Sequence, residues 1–175
     1  APVDWKTYGA DLASTRYSPL DQINKDNFSR LKIAWRLNTS AFGRPDTLYS
    51  ATPLLIDRVL YTTAGTRRAA VALNAATGEM LWMHTEDEGV RGENAPRIGA
   101  GRGLAYWPGA NGADRRVIYV TPGYRMLALG TRGREPERQI EGREKLRGVL
   151  ARIVGDDDDQ PCQPIEPHEP GRRED

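Results

Sequence analysis

A chain of 175 residues with net charge +1 and 28% charged residues has room for one modest core. It lacks the basic excess of a general nucleic-acid or anionic-membrane surface. No apolar run nears the roughly 20 residues that cross a bilayer, and a single cysteine, Cys162, excludes an internal disulfide.

The opening A-P-V-D-W reads as a mature end after signal cleavage or as the start of a fragment. Asp4 to Leu20 mixes turn-formers with Trp5, Tyr8 and Tyr17 and shows no helical period, so it reads as an ordered, irregular arm. Asp26-Asn27 can cap one helical turn ending at Leu31. Lys32 to Leu37 alternates apolar and polar residues and is expected to be a strand. Asn38 to Tyr49, with Gly43 and Pro45, is expected to be a loop.

A hairpin follows. Ala51 to Ile56 and Val59 to Thr63 flank the two-residue turn Asp57-Arg58. Arg58 sits where glycine would be easier, because primed hairpin turns need positive φ. Val71 to Trp82, V-A-L-N-A-A-T-G-E-M-L-W, then gives a strand, a corner at Thr77-Gly78 and a further strand. Its small alanines leave room for a ring to lie across, and Trp82 is the expected ring. Together these segments make one four-stranded antiparallel sheet, the size of a propeller blade.

Beyond a polar stretch, His84 to Gly101, a second set begins. Gly103 to Trp107 and Val117 to Thr121 are expected strands, and Arg125 to Leu129 starts a third. V-L-Y-T-T then A-A-V-A-L is echoed by V-I-Y-V-T then R-M-L-A-L, and an internal repeat of this kind means propeller or solenoid. From Gly130 there is no aromatic residue, and 21 of 46 residues are charged. Such a segment buries too little to offset its ordering entropy, so residues 1–129 are read as structured and 130–175 as a disordered tail.

These residues resemble a family. D-W-x-x-Y-G-x-D-x-x-x-T-R-Y-S-P-L-x-Q-I-N-x-D-N at Asp4 to Asn27 is similar to the opening of pyrroloquinoline-quinone (PQQ)-dependent glucose and alcohol dehydrogenases. So are A-T-P-L at Ala51 to Leu54, the tryptophan-docking repeat around Val71 to Trp82, in which the resemblance implies that each Trp packs against the neighbouring blade, and R-G-L-A-Y-W-P-G at Arg102 to Gly109. The resemblance covers residues 4–129 and implies an all-β fold, the first two blades of an eight-bladed propeller. It further implies a periplasmic enzyme that oxidises a sugar or alcohol and passes electrons to a quinone or cytochrome.

The resemblance places the quinone with a calcium ion on the propeller axis and puts the catalytic aspartate and the calcium ligands in later blades. This chain alone is therefore expected to bind neither and to be inactive. Arg102 matches the arginine that contacts the quinone's polar edge, a role suited to a guanidinium fork facing carboxylates. Ser50 stands where relatives usually carry a cofactor-bonding glutamate, keeping a hydrogen-bonding group without its charge or reach. Pro96 and Arg97 occupy the place of the adjacent cysteines of the alcohol branch, which favours the sugar type. The rival reading is a non-catalytic propeller that scaffolds other proteins.

Other signals are weaker. G-A-G-R-G at Gly99 to Gly103 hints at a phosphate loop but opens a strand and lacks the Lys-Ser/Thr. His84 and His168 have no partner at ligand spacing and read as solvent-facing, and Asp156 to Asp159 reads as a solvated acidic run.

The tail carries one more expectation. After R-M-L-A-L the repeat calls for Asp-Ala-x-Thr-Gly, but the chain gives G-T-R-G-R-E. Codons for Gly130 to Glu135, read from the third base of the first, permit Asp-Ala-Arg-Thr-Gly with only wobble bases chosen. We therefore expect residues from Gly130 onward to be read in a shifted frame. Sequencing the gene across codons 125 to 175 should show the repeat, followed by strand-like sequence, in the other frame; its absence there refutes the shift.

Overall fold

The computed structural model describes residues 3–44 and 49–133 and the backbone of 138–139. Two four-stranded antiparallel sheets follow one another in the chain, each with its strands in sequence order. The first contains β1 (Leu54–Ile56), β2 (Val59–Ala64), β3 (Ala69–Asn74) and β4 (Met80–His84). The second contains β5 (Ala105–Trp107), β6 (Arg116–Val120), β7 (Met126–Gly130) and β8 (Arg138–Gln139). A short helix, α1 (Gly89–Glu93), lies between them.

Period-two alternation gives each sheet two apolar faces, and one face of each meets the other. Leu54, Ile56, Tyr61, Ala70 and Ala72 of the first sheet pack with Val117, Tyr119, Leu127 and Leu129 of the second. The first sheet's opposite face, with Ala64, Ala69 and Val71, is covered by Phe42 and Leu37. Both faces of β3 are thus buried, and its alanines let the layers close in. Burying each large aliphatic contributes about 1.5–3 kcal/mol, more than the ~0.5–1.5 kcal/mol net of a hydrogen bond between neutral groups.

The 57–58 turn has the primed geometry its length demands, with φ of 49° at Asp57 and 66° at Arg58. Outside partners hold it there. Asp57 N donates to Asp4 Oδ1 at 3.1 Å, and Arg115 forms an ion pair with the Asp57 carboxylate. At the other end of the molecule Glu88 accepts from Thr121 Oγ1 at 2.5 Å and from Gly123 N at 2.7 Å. Glu86 pairs with Arg125 at 2.6 Å, so the 86–88 stretch is tied to the β6–β7 turn. His84 is half-buried and bonded to Glu86 at 3.1 Å, in contrast to the solvent-facing position expected for it.

Other details also depart from expectation. Lys32 to Leu37 makes no ladder, because the sheet beside it offers a face rather than a free edge. Asn24 and Asn27 bond each other's loop instead of capping the helical turn, leaving a 3-10 turn at Phe28–Arg30 without a side-chain cap. The loop beyond Asn38 contains a 3-10 turn, Thr39–Phe42, and Pro45 lies outside the described residues. β1 starts three residues later than expected because Thr52 pairs with Gly103 instead.

The ring over the Asn74–Gly78 corner is Trp35, and Trp82 goes elsewhere. Trp35 Nε1 donates to Ala75 O at 3.0 Å, and a Cβ on Gly78 would lie 2.6 Å from the indole. Trp82 Nε1 donates to Thr131 O at 3.0 Å, and a Cβ on Gly133 would lie 2.6 Å from that indole. Tyr61 OH donates to the same carbonyl at 3.1 Å. Burial pushes the Tyr61 hydroxyl up to about 12, which keeps the proton on this donor. The G-T-R-G turn thus serves as the second sheet's docking corner, in the place of the absent Asp-Ala-x-Thr-Gly. The sheet runs on past residue 129, since β8 pairs with Leu127 and Ala128. Residues 140–175, where the rest of the expected tail falls, lie outside the described residues.

Arg58→Gly should stabilise the chain by about 0.5–1 kcal/mol, because relief of left-handed strain outweighs glycine's added unfolded-state freedom. Thermal denaturation monitored by circular dichroism checks this, and a lowered Tm contradicts it.

Candidate functional site

The two residues singled out from the sequence are brought together. Both are exposed, and both sit where a sheet's first strand begins. Ser50 Oγ donates to Gly101 O at 2.9 Å, the carbonyl immediately before Arg102. Thr52 N donates to Arg102 O at 3.4 Å, and Thr52 and Gly103 form a parallel bridge. A stretch entering β1 and a stretch entering β5 therefore run side by side.

Glycine is required at the closest approach. Gly103 has φ of 100°, and a Cβ there would fall 2.8 Å from Thr52 O. One residue missed by the sequence reading is Thr63, whose fully buried hydroxyl donates to Ala100 O at 2.5 Å. A strand threonine gives no signal of such a role. The G-A-G-R-G segment that hinted at a phosphate loop is instead a strap whose carbonyls are held by the first sheet.

This arrangement defines what each side chain can offer. Ser50 commits its only proton to Gly101 O, so its hydroxyl oxygen is left as an acceptor. An acceptor does not attract a carboxylate, whereas the exposed guanidinium of Arg102, on a backbone fixed at its carbonyl, does. A carboxylate-bearing planar group fits Arg102 on these grounds. Among the described residues no group of three or more His, Cys, Asp or Glu side chains is gathered as metal ligands would be. No step through a metal can be built from them.

Comparison with known proteins decides the family. The family profile for the PQQ glucose/ethanol/alcohol dehydrogenase β-propeller domain matches residues 5–138. The chain belongs to this propeller family. Its two sheets are thereby two blades of a propeller-type fold. Relatives include the dehydrogenase subunit of quinone alcohol dehydrogenase from Gluconobacter oxydans, 37% identical over 131 residues. That match takes in 73% of this chain and 16% of the relative. The large subunit of glycerol dehydrogenase from Gluconobacter thailandicus is 31% identical, over 72% of this chain and 18% of the relative. 1-Butanol dehydrogenase (cytochrome c) from Thauera butanivorans is 36% identical over 67% of this chain and 17% of the relative.

The chain thus spans less than a fifth of the length of these relatives. Among solved structures, the quinohemoprotein alcohol dehydrogenase ADHIIG from Pseudomonas putida HK5 matches 80% of this chain and 19% of its own, with TM-score 0.61 and 27% identity. A europium-containing methanol dehydrogenase, 24% identical, shares the fold over 81% of this chain and 24% of its own with TM-score 0.62. Among the described residues no helix is long and apolar enough to cross a membrane.

Gly103→Ala should destabilise the chain by about 1–3 kcal/mol, through left-handed strain and collision with Thr52. Ser50→Ala removes one exposed hydrogen bond and should cost no more than about 0.5–1.5 kcal/mol. Urea denaturation of the two variants ranks them; the reverse order would mean that the 52–103 approach is slack.

Proposed function

We propose that this chain supplies the first two blades of an eight-bladed PQQ-dependent dehydrogenase that oxidises a hydroxyl group of a sugar or alcohol. The observation that carries the reading is the clasp between residues 50–52 and 101–103, which holds the backbone of Arg102 and leaves its side chain exposed. PQQ, when bound, accepts the electrons taken from the substrate hydroxyl. Within this chain, Arg102 binds a carboxylate of the cofactor, and the strap orients Arg102. Ser50 acts by fixing the strap.

The names of the relatives support an alcohol or polyol substrate and a quinone or cytochrome acceptor, and the family's description supports PQQ. Pro96 and Arg97, in the place of adjacent cysteines, argue for the sugar-type branch of that substrate class. A periplasmic location and a calcium ion beside the quinone complete the proposal. The residues that hold the calcium and take the substrate proton are assigned to blades outside residues 1–129, and the 175-residue chain is assigned no activity of its own. No observation favours the non-catalytic scaffold.

Two measurements test this. The 175-residue chain, given PQQ, calcium, ethanol or glucose and an artificial electron acceptor, should show no turnover above a no-protein control. Sustained dye reduction would overturn the division of labour. Residues 1–129 can also replace the matching stretch of the Gluconobacter oxydans subunit. In that chimera Arg102→Ala should weaken PQQ binding about 10- to 100-fold, the loss expected for a charge-assisted hydrogen bond of about 1.5–3 kcal/mol. The Tm of the cofactor-free chimera should stay unchanged. An equal loss of stability with and without PQQ would make Arg102 structural.

A further inference from the structure

The strap that carries Arg102 has almost no side chains of its own to hold it, yet its carbonyls are nearly all engaged. Those of Ala100, Gly101 and Arg102 accept from Thr63, Ser50 and Thr52 of the first blade. Those of Arg97 and Gly99 accept from a single side chain, Arg68. Its Nη2 donates to Arg97 O at 3.1 Å and its Nε to Gly99 O at 3.0 Å. The remaining arm of the guanidinium, Nη1, donates to Val120 O of β6 at 2.9 Å. One planar fork thus bonds the strap twice and the second blade once.

Local geometry places Arg68 there. It closes the β2–β3 turn with φ of 53°, and its backbone N donates to Gly65 O at 3.0 Å. In the same turn Thr66 O accepts from Gly99 N at 3.2 Å, so turn and strap are joined by main chain as well. Gly101 lies against the Arg68 side chain, where a Cβ would come within 2.7 Å of Nε. The strap therefore runs from Arg68, past Thr63, to Ser50 and Thr52, and delivers Arg102 at the start of β1. Loss of the Arg68 fork removes both side-chain bonds at the strap's far end and leaves there the Gly99 N–Thr66 O bond, with Thr63, Ser50 and Thr52 still holding residues 100–102.

We propose that Arg68 is a positioning residue for Arg102: it fixes the 97–102 strap and thereby sets where the cofactor-facing guanidinium stands. The purpose assigned to this positioning rests on the proposed role of Arg102. The hold of Arg68 on the strap does not. Lysine is no substitute, since one ammonium cannot reproduce three donors in a fixed plane.

Two amides report the strap directly, Thr52 N on Arg102 O and Gly99 N on Thr66 O. In the 175-residue chain, Arg68→Lys and Arg68→Ala should each speed hydrogen exchange at both amides at least 10-fold. Amides of β3 and β7 should stay within about twofold of the wild type. Equal acceleration in β3 and β7 makes Arg68 a general stability residue, and unchanged exchange at Thr52 and Gly99 removes it from the strap. Either result overturns the proposal.

The chimera separates this from the cofactor reading. There Arg68→Lys should weaken PQQ binding about 3- to 30-fold, and the Arg68→Lys/Arg102→Ala double variant should bind no worse than Arg102→Ala alone. Additive losses would show that Arg68 does not act through Arg102. If Arg102→Ala leaves PQQ affinity unchanged, the cofactor reading fails, while the exchange experiment still decides what Arg68 holds.

Discussion

Each blade of this chain depends on an indole docked on a turn carbonyl outside its own strand. Trp35 bonds Ala75 O, and Trp82 bonds Thr131 O, each at 3.0 Å. The two geometries match because the requirements are the same: a carbonyl facing outward from a corner, and a glycine beside it so that the ring can lie flat. Gly78 and Gly133 supply that glycine, both with positive φ. Apolar faces alone would let two twisted sheets slide on one another, since burial is not directional. The indole bond, worth only about 1 kcal/mol net, is directional and so fixes how the faces meet.

The same rule explains why the first blade could be read so completely. Its strands are short apolar runs, its hairpin turn is two residues long, and its corner carries Thr-Gly, so composition and punctuation agreed. The structure returns all four strands in order. Lys32 to Leu37 has the period of a strand, but alternation says only that one face is buried, and says nothing about whether a neighbour is present to complete a ladder. Trp82 docks on the neighbouring blade, as the docking-repeat resemblance implies, while the use of Trp35 as the ring over the Asn74–Gly78 corner was not read from the sequence. Ala72 sits opposite Trp82 in the β3–β4 register, so the ring springs from that strand but reaches the next sheet.

The candidate site was half legible. Arg102 and Ser50 could be picked out by motif, and the structure sets them on neighbouring backbone. What each does with its hydrogen bonds could not be read, because the strap is held through carbonyl oxygens, which every residue possesses. The only trace in the sequence is the glycine spacing of G-A-G-R-G, which marks close backbone approach without naming what approaches. Arg68 is hidden more deeply still, since an arginine in a tight turn has the appearance of any solvated surface charge.

The docking geometry also says what the chain's modular unit is. Counted by hydrogen-bonded strands, a module runs from β1 to β4. Counted by indole and corner, it runs from Trp35 to Trp82, because that stretch holds one socket, the Asn74–Gly78 corner, and ends in one plug for the socket that follows. A module cut at the sheet boundaries also carries one corner and one tryptophan, Asn74–Gly78 and Trp82, so its loss would leave Trp35 ahead of the corner that holds Thr131. Counted either way, plugs and sockets change in equal number, so a chain of such modules can lengthen or shorten by whole units while every indole keeps a corner to dock on.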